Sequence, residues 1–82
     1  MQGIKLRDGW TSELYPGREE FSVLRRPGED GGFVTINFVR RIFAAGMVTP
    51  YQHVGNRKEY DGRGWRQLLV DDAMDWLDQY VA

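Results

Sequence analysis

Cysteine is absent from this chain of 82 residues, and histidine occurs only once. Without cysteine the chain can form neither a disulfide nor a thiolate metal site, and it has no thiol nucleophile. A zinc site would need carboxylates for nearly all of its ligands, because a single imidazole is available. Small secreted domains usually carry disulfides, so their absence fits a reducing compartment. We therefore expect no metal, no cofactor and a cytoplasmic location.

Long apolar runs are absent as well. The sequence has no stretch of 18 apolar residues and no basic-then-apolar N-terminal segment, which predicts neither a membrane span nor a signal peptide. A net charge of −1 gives no general attraction to nucleic acids or membranes. Hydrophobic residues make up 41% of the chain, enough for one compact core, and the length leaves no room for a second. Residues 1–82 are expected to form one soluble domain.

Recognisable catalytic motifs are also missing. The glycine-rich runs GEDGG and DGRG lack the spacing of phosphate-binding loops. His53 has no recognisable serine or cysteine nucleophile around it. Asp71 and Asp72 would point about 100° apart on a helix, so they form no carboxylate pair. The sequence therefore predicts a protein that is not an enzyme.

The clearest pattern in the chain is at residues 63–82, which are predicted to form a helix. Asp61 is the expected N-cap, and Gly62 and Gly64 separate the helix from the preceding segment. At 100° per residue one apolar stripe follows the helix. Its members are Trp65, Leu68, Leu69, Ala73, Trp76 and Tyr80, with Leu77 at the margin. Asp72 falls inside this stripe, where we expect an ion pair with an arginine or a position at the exposed end.

The residues before the helix form short segments that are separated by turn dipeptides. Residues 3–7 are predicted as a short strand, because Ile4 and Leu6 alternate with polar residues. Residues 10–15 are predicted as a second short extended segment, and the turn dipeptide DG lies between the two. A second turn dipeptide, PG, precedes residues 20–26, which are predicted as a strand because the segment is short for a helix and poor in helix formers. The loop PGEDGG follows this strand.

Residues 33–47 fit two structures, and the fold depends on which of them forms. As strands, alternate residues of the segment 34–38 share one face, and the segment 41–45 extends it or returns as another strand. As a helix, Thr35 would cap the segment and Gly46 would end it. The abundance of β-branched and aromatic residues favours the strands.

A further hairpin is predicted around Gly55-Asn56, because a Gly-Asn pair suits a two-residue type II′ turn between residues 51–54 and 57–60. Together the segments predict an α+β fold. In this fold a small antiparallel β-sheet, built as a meander or as hairpins, packs against one C-terminal α-helix.

The helical alternative for residues 33–47 changes the functional prediction. With that helix, the run RRIFAAGMV and the hairpin after it resemble the recognition helix and wing of winged-helix DNA-binding proteins. The resemblance covers about a third of the chain, whose turn-rich start departs from the usual first helix of that family. It implies nucleic-acid binding through basic residues between positions 25 and 66. The candidate basic surface consists of Arg40, Arg41, Arg57, Lys58, Arg63 and Arg66.

Aromatic residues are numerous for a single helix on a small sheet, at 13% of the chain. Some of them should be exposed, and aromatic residues together with arginine are typical of protein interfaces. Trp10, Tyr15 and Tyr51 are the candidate aromatic interface. The strands also carry little proline or lysine to protect their edges. We therefore favour a non-catalytic domain that binds another protein or a copy of itself, as a homodimer, with nucleic-acid binding as the alternative.

Overall fold

Four strands and one helix make up the fold of the residues that the structure describes. The computed structural model describes residues 3–15, 17–29, 31–46 and 60–80. The elements in chain order are β1 (Thr11–Tyr15), β2 (Arg18–Arg25), β3 (Phe33–Asn37), β4 (Ile42–Gly46) and α1 (Trp65–Tyr80). Each strand lies antiparallel to its neighbour in the chain, which gives one sheet in the order β1-β2-β3-β4. The predicted α+β fold is confirmed.

Residues 33–46 form two paired strands and not a helix. Phe33 lies opposite Gly46, and Asn37 lies opposite Ile42. The β-branched and aromatic side chains of this run suit a half-buried pleated surface. The helical alternative is therefore wrong, and the resemblance to winged-helix proteins loses the segment that was to be its recognition helix. The hairpin predicted around Gly55-Asn56 lies outside the described residues.

The N-terminal residues 3–7 lie against the helix, and the strand predicted there is wrong. The side-chain amide of Gln67 pairs with this backbone as a neighbouring strand would. The Lys5 N–H donates to Gln67 Oε1 at 2.8 Å, and Gln67 Nε2 donates to the Lys5 carbonyl at 2.9 Å. Ile4 and Leu6 pack against the core from this segment. The segment is thus held by Gln67, by the ion pairs of Arg7 with Asp75 and Asp78, and by apolar contact, not by a strand of the sheet.

The core lies between α1 and the face of the sheet that α1 covers. Alternate strand residues supply the sheet side, namely Leu24, Val34, Ile36 and Phe43. The buried residues of the helix are Leu69, Val70, Ala73, Met74 and Leu77. Trp10 and Tyr60 complete the cluster from the segments next to β1 and α1. Each large apolar side chain buried in this way contributes roughly 1.5–3 kcal/mol to folding.

The buried face of α1 is rotated from the predicted stripe by roughly a quarter turn. Val70 and Met74 lie outside the predicted stripe and are fully buried, whereas Leu68 lies inside it and is 51% exposed. Trp65 and Trp76 lie at the margin and are half-buried. The two indoles, which define the predicted stripe, are therefore not at the centre of the contact with the sheet.

Two further details at the start of α1 differ from the prediction. The helix begins at Trp65, and Gly64, with φ 83°, precedes it, so Asp61 is not the N-cap. The Leu68 N–H donates to the Gly64 carbonyl at 3.2 Å, which is the first helical hydrogen bond.

Asp72 lies beside the buried face, where its carboxylate accepts a hydrogen bond from the Tyr60 hydroxyl at 2.7 Å.

Candidate binding surfaces

Two arginines at one end of the molecule are held by carboxylates of α1. Arg7 donates through its two Nη atoms to Asp75 and Asp78. Arg26 lies with Nη1 3.6 Å from Asp78, and it also donates to the Leu77 carbonyl at 3.3 Å. The charges at this end are therefore largely compensated, and the side chains join the N-terminal segment and β2 to the helix.

The opposite end carries an arginine–aromatic cluster, which consists of Phe38, Arg41, Trp65 and Arg66. The guanidinium carbon of Arg41 lies 4.2 Å from the centre of the Trp65 ring system. That of Arg66 lies 5.2 Å from the same centre and 5.9 Å from the Phe38 ring. The two aromatic rings meet edge to face at 6.3 Å. A guanidinium at such distances gains roughly 0.5–1 kcal/mol from an exposed ring.

The turn between β3 and β4 positions the first arginine of the cluster. Arg41 has φ 57°, a left-handed conformation that closes the turn. Its Nη1 donates to the carbonyl of Tyr60, whose own side chain is almost completely buried and bound to Asp72. The Arg40 N–H donates to Asn37 Oδ1 at 2.9 Å, which caps the same turn. The turn is thereby tied to the segment before the helix and to the helix itself.

The structure brings together part of the predicted basic surface. Arg41 and Arg66 share the Trp65 ring, Arg40 is next to Arg41 in the turn, and Arg63 lies two residues before α1. All four side chains are exposed. Within the described residues none of the four forms a salt bridge. Arg57 and Lys58 of the predicted surface lie outside those residues.

The sheet face away from the helix carries a second mixture of aromatic and charged side chains. Tyr15 and Phe21 meet edge to face at 6.4 Å. Arg25 lies with its guanidinium carbon 5.5 Å from the centre of the Phe33 ring. In contrast to Arg41 and Arg66, Arg25 is bound to a carboxylate, because its Nε donates to Glu13 Oε1 at 3.0 Å.

The β1 edge, which consists of the residues Thr11–Tyr15, is the most apolar exposed part of the sheet. Leu14 is 56% exposed and Tyr15 is 49% exposed, and together they are two of the four large exposed hydrophobic residues of the described chain. The helix packs over β3 and β4 rather than over β1. In the described chain β1 pairs only with β2, which leaves its outer backbone groups without a strand partner.

The three predicted interface aromatics have different surroundings. Trp10 belongs to the core, so its side chain is not available to a partner. Tyr15 is exposed at the β1 edge, and Tyr51 lies outside the described residues. The sequence analysis missed Phe38 and Trp65 as supports for arginines. No local pattern reveals this role, because only the fold brings the β3–β4 turn to the start of the helix.

The described residues show neither a metal-binding arrangement nor a membrane-spanning helix. Among them, no group of three or more histidine or acidic side chains is arranged to hold a metal ion. Every buried side-chain polar atom found there has a hydrogen-bond partner. No helix in this part of the chain combines the length and the apolar character that crossing a bilayer requires.

Comparison of the chain with family models, with curated proteins and with solved structures found no match.

Proposed function

We propose that this protein is a non-catalytic protein-binding domain that associates with a second copy of itself through the β1 edge. The observation that carries the proposal is the exposure of two adjacent apolar side chains, Leu14 and Tyr15, on a strand whose outer edge pairs with no other strand of the described chain. An exposed apolar edge strand is a template for pairing with another strand, and natural proteins protect such edges unless they use them.

Two β1 strands could pair about a twofold axis, so that both copies contribute the same surface to the interface. The free N–H and C=O groups of one β1 would bond to those of its partner and continue the sheet across both copies. The two Leu14 side chains would then meet on the helix side of the sheet, where α1 packs mainly over β3 and β4. The second copy would thereby cover apolar surface that the chain itself leaves exposed.

The size of the β1 edge sets the expected strength of the dimer. The strand has five residues and a bulge between Leu14 and Tyr15, so it offers few backbone bonds and a small apolar area. Small interfaces are typical of weak and transient complexes. We therefore expect dissociation in the micromolar range, which corresponds to roughly 8 kcal/mol of binding free energy.

Sedimentation velocity from about 1 to 300 μM tests the proposal. The parent should shift with concentration from a particle of 9.5 kDa towards twice that mass. Leu14→Lys should remain a monomer throughout, because it places a charge in the apolar contact. Leu68→Lys is the matched control, since it changes a similarly exposed leucine at the start of the helix and should leave the dimer intact.

Two results would contradict this assignment. A parent protein that stays at 9.5 kDa at the highest concentration would exclude self-association. A dimer that is unaffected by Leu14→Lys, or that is lost equally in Leu68→Lys, would place the interface somewhere other than the β1 edge.

A further inference from the structure

Four cations at the β3–β4 turn and the start of α1 have no carboxylate partner among the described residues. They are Arg40, Arg41, Arg63 and Arg66. In contrast, Arg7, Arg25 and Arg26 are all held by acids. The positive end of the helix dipole lies at the same place and adds to the field of the four guanidinium groups. An anion bound here would relieve a repulsion that no carboxylate of the described residues compensates through a salt bridge.

The cluster also offers flat surfaces in addition to charge. Arg41 and Arg66 both lie against the Trp65 ring system, which holds their planar groups in position. Trp65 and Phe38 are half-buried and meet edge to face, and the neighbouring Val39 is 73% exposed. Unstacked bases bind to such surfaces, because they stack on aromatic rings and on guanidinium planes.

We infer that the arginine–aromatic cluster binds single-stranded nucleic acid. The guanidinium edges of Arg41 and Arg66 would contact phosphates, and their planes and the adjoining rings would receive bases. Arginine suits this role better than lysine, because its planar fork contacts phosphate through two N–H groups and also stacks. The inference does not depend on self-association, since it uses no residue of the β1 edge.

A single strand fits the surface better than a duplex does. The cluster spans one turn and the first turn of a helix, which is enough for a few nucleotides. In a duplex the bases are paired and stacked on one another, so a duplex could use the charges of the cluster but not its flat surfaces. The unstacked bases of a single strand can reach those surfaces. An acidic peptide would bind to the charges but would not stack on the planar groups. The test must therefore distinguish single-stranded nucleic acid from an acidic peptide.

The test is fluorescence anisotropy of a labelled twelve-nucleotide dT oligomer, titrated with the full chain at several salt concentrations. At about 50 mM salt we expect micromolar binding. The logarithm of the affinity should fall against the logarithm of the salt concentration with a slope of about −1.4, since the two phosphate contacts of Arg41 and Arg66 contribute about −0.7 each. A poly-glutamate peptide of matched charge serves as competitor, and it should displace the oligomer at least tenfold less well than unlabelled dT does.

Three variants separate charge from stacking. Arg66→Gln should weaken binding about tenfold and reduce the slope by about 0.7, because one phosphate contact is lost. Arg66→Lys keeps the charge and loses the plane, so we expect about threefold weaker binding with an unchanged slope. Arg25→Gln is the matched control, since Arg25 is also exposed and lies over an aromatic ring but is bound to Glu13. It should bind within twofold of the parent.

Four results would contradict the inference. No change in anisotropy up to about 100 μM protein at low salt would exclude the site. An equal loss in Arg25→Gln and Arg66→Gln would reduce the effect to overall charge. Displacement by poly-glutamate as efficient as by dT would assign the cluster to an acidic peptide. Parent-like binding by Arg66→Lys would remove the stacking part of the inference and leave a phosphate contact alone.

Discussion

Leu68 and Leu69 are adjacent leucines of α1 with opposite surroundings. The first is half-exposed, whereas the second is completely buried in the core. We expect Leu69→Asp to cost roughly 4 kcal/mol or more, because it removes a buried leucine and places a charge in the core. A domain of this size has only ~4–12 kcal/mol of stability, so the variant should be largely unfolded.

Leu68→Asp is the matched control for this prediction. It should change the free energy of unfolding by no more than about 0.5 kcal/mol, since the side chain is exposed and a negative charge near a helix N-terminus is favourable. Urea denaturation of both variants, followed by circular dichroism, checks the pair. Equal loss of stability in the two variants would show that the buried face of α1 is not centred as described.

Which of these two leucines is buried could not be predicted from the sequence. The apolar residues of α1 cover more than half of its circumference, because Val70 and Met74 extend the apolar arc beyond the stripe marked by the indoles. Hydrophobicity alone therefore does not select the centre of the contact. In the folded chain Val70, Met74 and Leu77 are buried in the core, whereas the two large indoles are half-buried at its margin.

At the scale of elements, the side chain of Gln67 forms the backbone hydrogen bonds that a neighbouring strand would otherwise form. Gln67 holds both backbone groups of Lys5, and nothing in the described part of the sheet pairs with this segment. We expect Gln67→Ala to lower the free energy of unfolding by about 1–2 kcal/mol, since two hydrogen bonds are lost. The amide of Lys5 should then exchange with solvent much faster in NMR experiments.

Gln79→Ala provides the control for the loss of a glutamine from the same helix, because Gln79 is exposed near the other end. It should leave both the stability and the Lys5 amide unchanged. Protection of that amide in Gln67→Ala would mean that another group holds the N-terminal segment.

The strands of the sheet were predicted correctly from the sequence, whereas residues 3–7 were wrongly predicted as a strand. Both outcomes have the same cause. Alternation of apolar and polar residues reports that one side of a segment is buried, and it does so for residues 3–7 as for β2 and β3. It does not report which partner completes the backbone hydrogen bonds. In β2 and β3 the partner is the neighbouring strand, whereas at Lys5 it is a glutamine side chain from the helix.

At the scale of the whole molecule, a net charge of −1 conceals a separation of charge. Salt bridges to Asp75 and Asp78 compensate one end, and the four arginines that have no carboxylate partner among the described residues lie at the other. Composition predicted a basic set in the middle of the chain but not its pairing, because each pairing depends on contacts between distant elements. Arg25 and Arg26 illustrate this, since these neighbours contact acids on opposite faces of the sheet.

Because of this separation of charge, we expect a substitution that weakens binding of the oligomer to increase the stability of the fold. Arg63 is exposed and lies just before the positive end of α1. We expect Arg63→Glu to raise the free energy of unfolding by about 0.5 kcal/mol, because it replaces an unfavourable charge at the helix N-terminus by a favourable one. The same variant should bind the dT oligomer at least fivefold more weakly. Thermal unfolding and anisotropy on one preparation measure both quantities, and a destabilised variant would contradict the electrostatic account.

The hydrogen bonds of the N-terminal segment have a consequence for the order in which the chain folds. Strands of the meander pair with their sequence neighbours, so the sheet can form through short loops, each of which costs little entropy to close. Lys5 and Arg7 instead contact residues of α1 that lie 62 to 71 positions away. These contacts cannot form until the helix has docked on the sheet. The N-terminal segment should therefore be the last part of the described chain to reach its native position.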